Sequence, residues 1–164
     1  MHTKDGAHAA SLLVSHGAAK DRKAMVKSIK EIIPRMATDQ YGHTVLIAIC
    51  AVVDDTKLVS KAVLAELKGS WHDLIRDKWG RRLILFLCRE DNDPLVKECR
   101  ERSANTSKKD LQLRRQELLD SISQDLLQIV ADEADELMRN PPTCQVVQET
   151  VLYARGIGIL CTWH

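Results

Sequence analysis

Asp39-Gln-Tyr-Gly-His-Thr-Val-Leu-Ile-Ala-Ile-Cys50 returns 38 positions later as Asp77-Lys-Trp-Gly-Arg-Arg-Leu-Ile-Leu-Phe-Leu-Cys88. Both copies read acid, polar residue, aromatic, glycine, two polar residues, an aliphatic run and a cysteine. A looser copy, Lys4-Asp-Gly-Ala-His-Ala-Ala-Ser11, precedes the first by 36 positions, counted from Gly6 to Gly42. Near-constant spacing of this kind marks stacked repeats, each too small to bury its own apolar face.

The rest of the composition agrees with helices around an aliphatic core. The chain has 164 residues, 45% hydrophobic but only 4% aromatic, and its apolar runs follow helical spacing. No stretch approaches the roughly 20 apolar residues of a membrane span, and the start has no apolar signal-peptide core. A soluble intracellular monomer is expected. The formal net charge is +1, yet charge is unevenly placed. Residues 1–35 carry seven basic residues against three acidic, whereas residues 124–139 carry five acidic against one basic. Such polarity in a balanced chain points to a directed surface. The five cysteines form no CxxC pair, and Cys50 and Cys88 share one repeat position on aliphatic faces, so buried free thiols are expected.

Along the chain, the periodicity predicts a helix over 7–16, ended at Gly17 by a left-handed turn, then helices over 21–30 and 31–37 divided near Pro34. A helix over 42–53 follows. Asp54-Asp55-Thr56 supplies capping oxygens for a helix over 57–67, and Gly69-Ser70 closes that unit. The third unit repeats the plan with helices over 71–76 and 81–88 and one after Asp93-Pro94. Residues 103–110 read as a loop. Helices to about Ser121 and over 125–138 come next, then a stop at Asn140-Pro-Pro-Thr143 and a helix over 144–152. Aligning Val146-Val147 with Val45-Leu46 makes a fourth, degenerate unit, with about 25 residues inserted beyond the regular step.

The Asp-x-aromatic-Gly turn and its aliphatic run resemble a Pumilio-type (Puf) repeat of three helices. More narrowly, Lys20-Asp-Arg-Lys23, Asp54-Asp-Thr-Lys-Leu-Val59, Asp77-Lys-Trp-Gly-Arg81 and the stretch from Ser107-Lys-Lys-Asp110 through Arg114-Arg-Gln-Glu-Leu-Leu-Asp-Ser-Ile-Ser123 are similar to the Puf-A/Penguin branch. The likeness covers roughly residues 1–153. It implies an all-α, right-handed α-solenoid of about four repeats. Residues 1–102 would be divergent Puf-like repeats, 103–153 a CPL-like helical region, and 154–164 a tail of unknown role. It further implies a nucleolar or nuclear protein that binds RNA, with DNA as a further candidate. Its service would be pre-rRNA processing and large-subunit assembly beside ribosome-assembly proteins. The chain begins inside a repeat and its ending departs from the branch, so it reads as a C-terminal fragment or truncated form.

In a Puf repeat the second helix lines the concave face, with two side chains reaching a base edge and one stacking between bases. Carried over, the edge and stacking positions are Ala7, Ser11 and His8 in unit one, and His43, Ile47 and Thr44 in unit two. Unit three offers Arg81, Leu85 and Arg82; unit four offers Cys144, Gln148 and Gln145. Ile47 and Leu85 form no hydrogen bonds, and only the Cys144/Gln148 pair matches a family pair (for adenine). Little sequence specificity is therefore expected. Arg76, Lys78, Arg81 and Arg82 crowd one turn and suit phosphate oxygens. Against this stands the reading that these charges simply solvate a helix face. The rival function is a protein–protein adaptor gripping a peptide or ribosomal protein on the concave face; a third is a scaffold segment that completes a longer array. Asp132-Glu-Ala-Asp135 lacks the strand and phosphate loop of a helicase, Gly156-Ile-Gly is too short for a dinucleotide loop, and no grouping suggests a nucleophile. No enzyme, cofactor or metal is expected.

Overall fold

The computed structural model describes residues 3–89 and 94–154. Met1-His2, Asp93 and the tail from Arg155, with Cys161, lie outside the described residues. Within them the chain is all helix, with no strand. The elements are α1 (Lys4–His16), α2 (Ala19–Ser28), a 3-10 turn (Lys30–Ile32), α3 (Ile33–Ala37) and α4 (Gly42–Val52). Then come α5 (Thr56–Val59), continued by a π turn (Ser60–Leu64) and a 3-10 turn (Ala65–Leu67), α6 (Trp71–Arg76) and α7 (Gly80–Cys88). The last four are α8 (Pro94–Ser103), α9 (Leu111–Asp120), α10 (Ser123–Met138) and α11 (Pro141–Tyr153).

The repeated stretch folds the same way twice. Asp39 Oδ1 accepts the Tyr41 and Gly42 amides at 2.9 and 2.7 Å, and Asp77 Oδ1 accepts those of Trp79 and Gly80 at 2.8 and 2.7 Å. Each aspartate thus supplies acceptors to the exposed N–H groups of the helix that follows. The glycines are needed for space. A Cβ on Gly42 would lie 2.8 Å from Met36 O, and one on Gly80 would lie 2.6 Å from Leu74 Cδ2. The preceding short helix therefore crosses directly over the turn in both units.

The helices sort into three stacked rows. α1, α4, α7 and α11 pack side by side in that order; α3, α6 and α10 hold the first-helix places; α2, α5 and α9 hold the third. The regular order is broken by α8. The third helix of unit three was expected after Pro94, but α9 takes that place, against α4, α5 and α7. Instead, α8 turns back across α1 and α4, burying Val96 and Cys99 and setting Cys99 Sγ 3.7 Å from Ser11 O. This helix and the residues on either side of it account for the inserted residues. With α8 on top, α4 is buried on every side apart from Thr44.

Two local expectations are corrected. Gly17 is extended at φ −62° and is not left-handed; a Cβ there would meet Leu13 O at 2.8 Å. Among the described residues only Gly69, at φ +89°, uses glycine's conformational freedom. The stop at Asn140 holds, since α10 ends at Met138, but Pro141 and Pro142 open α11 three residues ahead of its expected start at Cys144, because first-turn N–H groups need no helical partner. Cys50 and Cys88 are buried free thiols, as expected, and burial pushes both up to about 12.

Candidate nucleic-acid interface

The third unit's turn presents an aromatic platform with cations around it. The Lys78 ammonium lies 4.4 Å from the centre of the Trp79 ring, within range of a cation–π attraction. The His43 ring stacks on Trp79 at 5.1 Å and 27° between planes, joining the turn of unit three to the helix of unit two. Arg81 donates through Nη1 to Arg76 O at 3.1 Å, which holds its guanidinium beside the turn. Arg81 and Arg82 remain half-buried, and Lys78 is exposed.

Arg76 does not join them. Its Nη2 donates to Glu133 Oε2 at 2.7 Å and to Glu136 Oε1 at 2.9 Å, and these bonds raise its already high pKa. His72 Nε2 lies 3.2 Å from the same Glu133 carboxylate. Glu133 sits at a kink of α10, with φ −124° and ψ 15°, so this cluster fastens α6 to the bend. The Asp132-Glu-Ala-Asp135 run is thus a helix face: Asp132 accepts from Gln128, and Asp135 pairs with Arg139.

The carried-over base-reading positions divide by unit. Ala7, Ser11, His43 and Ile47 are 2, 0, 1 and 1% exposed, with Ser11 against Cys99 of α8 and His43 beneath Trp79. His8 is exposed, and half-buried Thr44 spends its hydroxyl on Tyr41 O at 2.6 Å. Leu85, Cys144 and Gln145 are half-buried, and Gln148 is exposed. Units one and two therefore offer no open edge, whereas units three and four do.

Two buried arginines escaped the sequence reading. Arg22 caps the end of α1, donating to Val14 O at 2.7 Å and Ser15 O at 2.9 Å, and reaches Thr106 Oγ1 at 2.7 Å. Desolvation on burial lowers its pKa. Arg114 caps the end of α4 through Ala51 O and binds Asp54 Oδ1 at 2.6 Å and Lys109 O at 2.7 Å. Asp54 also accepts from Ser107 Oγ at 2.7 Å and from the Lys108 and Lys109 amides at 2.7 and 3.2 Å. Partial burial alone would push this carboxyl up, but the Lys108 amide, Ser107, Arg114 and the Lys109 amide together hold it at about 2. The loop after α8 is in this way bolted to the end of α4. One signal was available: Arg22 falls on the same helical face as buried Val26 and Ile29.

Among the described residues no cluster of three or more His, Cys, Asp or Glu could hold a metal, and no helix is long and apolar enough to cross a membrane. The CPL (NUC119) domain family matches residues 76–158, beginning well ahead of the basic stretch. Pumilio homolog 3 of Homo sapiens is 36% identical over 162 residues, which cover 94% of this chain and 25% of the human protein. Protein penguin of Drosophila melanogaster is 32% identical over 160 residues, covering 95% and 22%. The crystal structure of human Puf-A in complex with DNA superposes with a TM-score of 0.87 at 36% identity, over 95% of this chain and 32% of that one. The chain spans about a quarter of the length of the curated relatives it matches. With half of the chain matched by the family and nearly all of it by the fold of human Puf-A, the chain belongs to the CPL (NUC119) domain family, among the Puf-A/Penguin-type Pumilio-homology proteins, and is an α-solenoid.

Proposed function

We propose that the chain binds RNA or DNA through the sugar–phosphate backbone with little preference for sequence. The observation that carries this is a contrast within the array. The base-edge positions of units one and two are buried, while the Lys78–Trp79–Arg81–Arg82 turn remains accessible. Three cations around one turn suit phosphate contact, which reads no base edge. The DNA complex of the similar human Puf-A supports a nucleic-acid ligand. The family resemblance further supports a nucleolar role in pre-rRNA processing and large-subunit assembly, alongside ribosome-assembly proteins.

The test is a salt titration against unrelated RNA and DNA oligonucleotides, for the parent and for Lys78→Gln/Arg81→Gln/Arg82→Gln. The parent should show a steep salt slope and less than tenfold preference among sequences. Losing three phosphate contacts should flatten the slope by about 2 for single strands. Unchanged slope and affinity in the variant, or strong discrimination by the parent, would refute the proposal. No association at all would favour the adaptor.

A further inference from the structure

The basic excess of residues 1–35 is not absorbed by the Trp79 turn. The structure puts much of it on α2, where Lys20, Lys23 and Lys27 are exposed along one face at steps of three and four. Beside α2, its neighbour in the third-helix row, α5 and its continuation expose Lys57 and Lys61, four residues apart. Two lysine rows thus run along adjacent helices. A cleft of about 310 Å³ separates their beginnings, lined by Lys20, Lys23, Asp55, Leu58 and Thr106. A second, of about 580 Å³, lies on the far side of α5, where Lys57, Lys61 and Lys109 alternate with Asp54, Asp55, Glu117 and Asp120.

The carboxylates nearby keep their charge but lie beyond 4 Å from the Lys20, Lys23, Lys57 and Lys61 ammonium groups. Asp21 accepts the Ala18 amide at 3.1 Å, Asp55 the Leu58 amide at 2.9 Å, and Asp120 the Gln116 side chain at 2.7 Å. Asp54 is held by Arg114 and the 107–109 loop, and Glu117 pairs with Lys109 at 2.6 Å. Lys20, Lys23, Lys57 and Lys61 have no ion-pair partner within 4 Å among the described residues.

This surface is separate from the Trp79 turn. α4 starts beside the Tyr41 turn and delivers the chain to Asp54, so the two places lie about one α4 length apart, roughly 16 Å at 1.5 Å per residue. We infer that the Lys20/Lys23 and Lys57/Lys61 rows form a second nucleic-acid backbone surface, on the third-helix row, which engages a strand together with the turn. The inference rests on the proposed nucleic-acid function. A flexible polyanion fits because the cations recur about every helical turn, roughly 5.4 Å apart, on both helices.

The test uses the full chain, a 20-nucleotide poly(U) strand, and Lys20→Gln/Lys23→Gln/Lys57→Gln/Lys61→Gln, with circular dichroism confirming an unchanged fold. Affinity should fall at least tenfold at low salt, and the slope of log affinity against log salt should flatten by about 3. Lysine acetylation of the parent, mapped by mass spectrometry, should show these four residues protected by poly(U). Unchanged binding and no protection, while the Lys78/Arg81/Arg82 variant still loses affinity, would overturn this surface and leave the turn standing. Protection by polyglutamate but not by poly(U) would also overturn it, in favour of an acidic peptide. A parent that binds no nucleic acid would overturn both readings.

Discussion

Replacing Arg114 with methionine should loosen the junction where the returning loop meets the end of α4. Methionine keeps much of the volume but offers no donor. Ala51 O lies in a fully buried turn and would lose its partner, at a cost of about 1–3 kcal/mol. A fully buried ion pair would add about 3–5 kcal/mol when broken. The Asp54 side chain is 34% exposed, however, so water re-solvates it and about 1 kcal/mol is the better figure. The sum is roughly 3 kcal/mol, which for a chain of 164 residues lowers Tm by about 6–12 °C. Urea unfolding followed by far-UV circular dichroism measures it. A double-mutant cycle with Asp54→Asn should return a coupling near 1 kcal/mol. A loss below about 0.5 kcal/mol for Arg114→Met, or a coupling of zero, would refute the assignment of this pair as the fastening.

Two further outcomes follow from the same geometry. Asp54 titrates lower in the folded than in the unfolded chain, so its contribution is complete above about pH 4 and is lost as pH falls through about 2; Asp54→Asn should flatten the fall in stability over that window, measured as the urea midpoint against pH. Gly42→Ala should destabilise by about 1–3 kcal/mol, because its Cβ meets the backbone of Met36 at 2.8–2.9 Å, whereas Thr38→Ala, on an exposed residue of the same turn, should stay within about 0.5 kcal/mol.

The fold was legible because its deciding feature is local and repeated. An aspartate, an aromatic and a glycine at fixed offsets specify a turn from short-range hydrogen bonds and sterics alone, and the aliphatic run after them specifies a buried helix. The boundaries of α4, α6 and α7 follow directly. What was illegible depends on partners far away in the chain. Nothing in Pro94-Leu-Val-Lys-Glu-Cys99 states that its apolar face belongs on α1 and not on the next helix of the array. Arg76 likewise looked like a free cation because Glu133 and Glu136 stand some 60 residues later. Base-reading positions were inferred from helix register, which fixes the direction of a side chain but not whether another helix lies across it.

The return of α8 also bears on how the chain is made. A simple array can complete each unit as it leaves the ribosome, since each needs only its neighbour. Here Ser11 waits for Cys99, 88 residues later, before its side of α1 is covered. At ribosomal speeds of about 5–20 residues per second, that interval lasts on the order of 4–18 s. Throughout it, the face of α1 that α8 will cover lies open to chaperones and to neighbouring nascent chains.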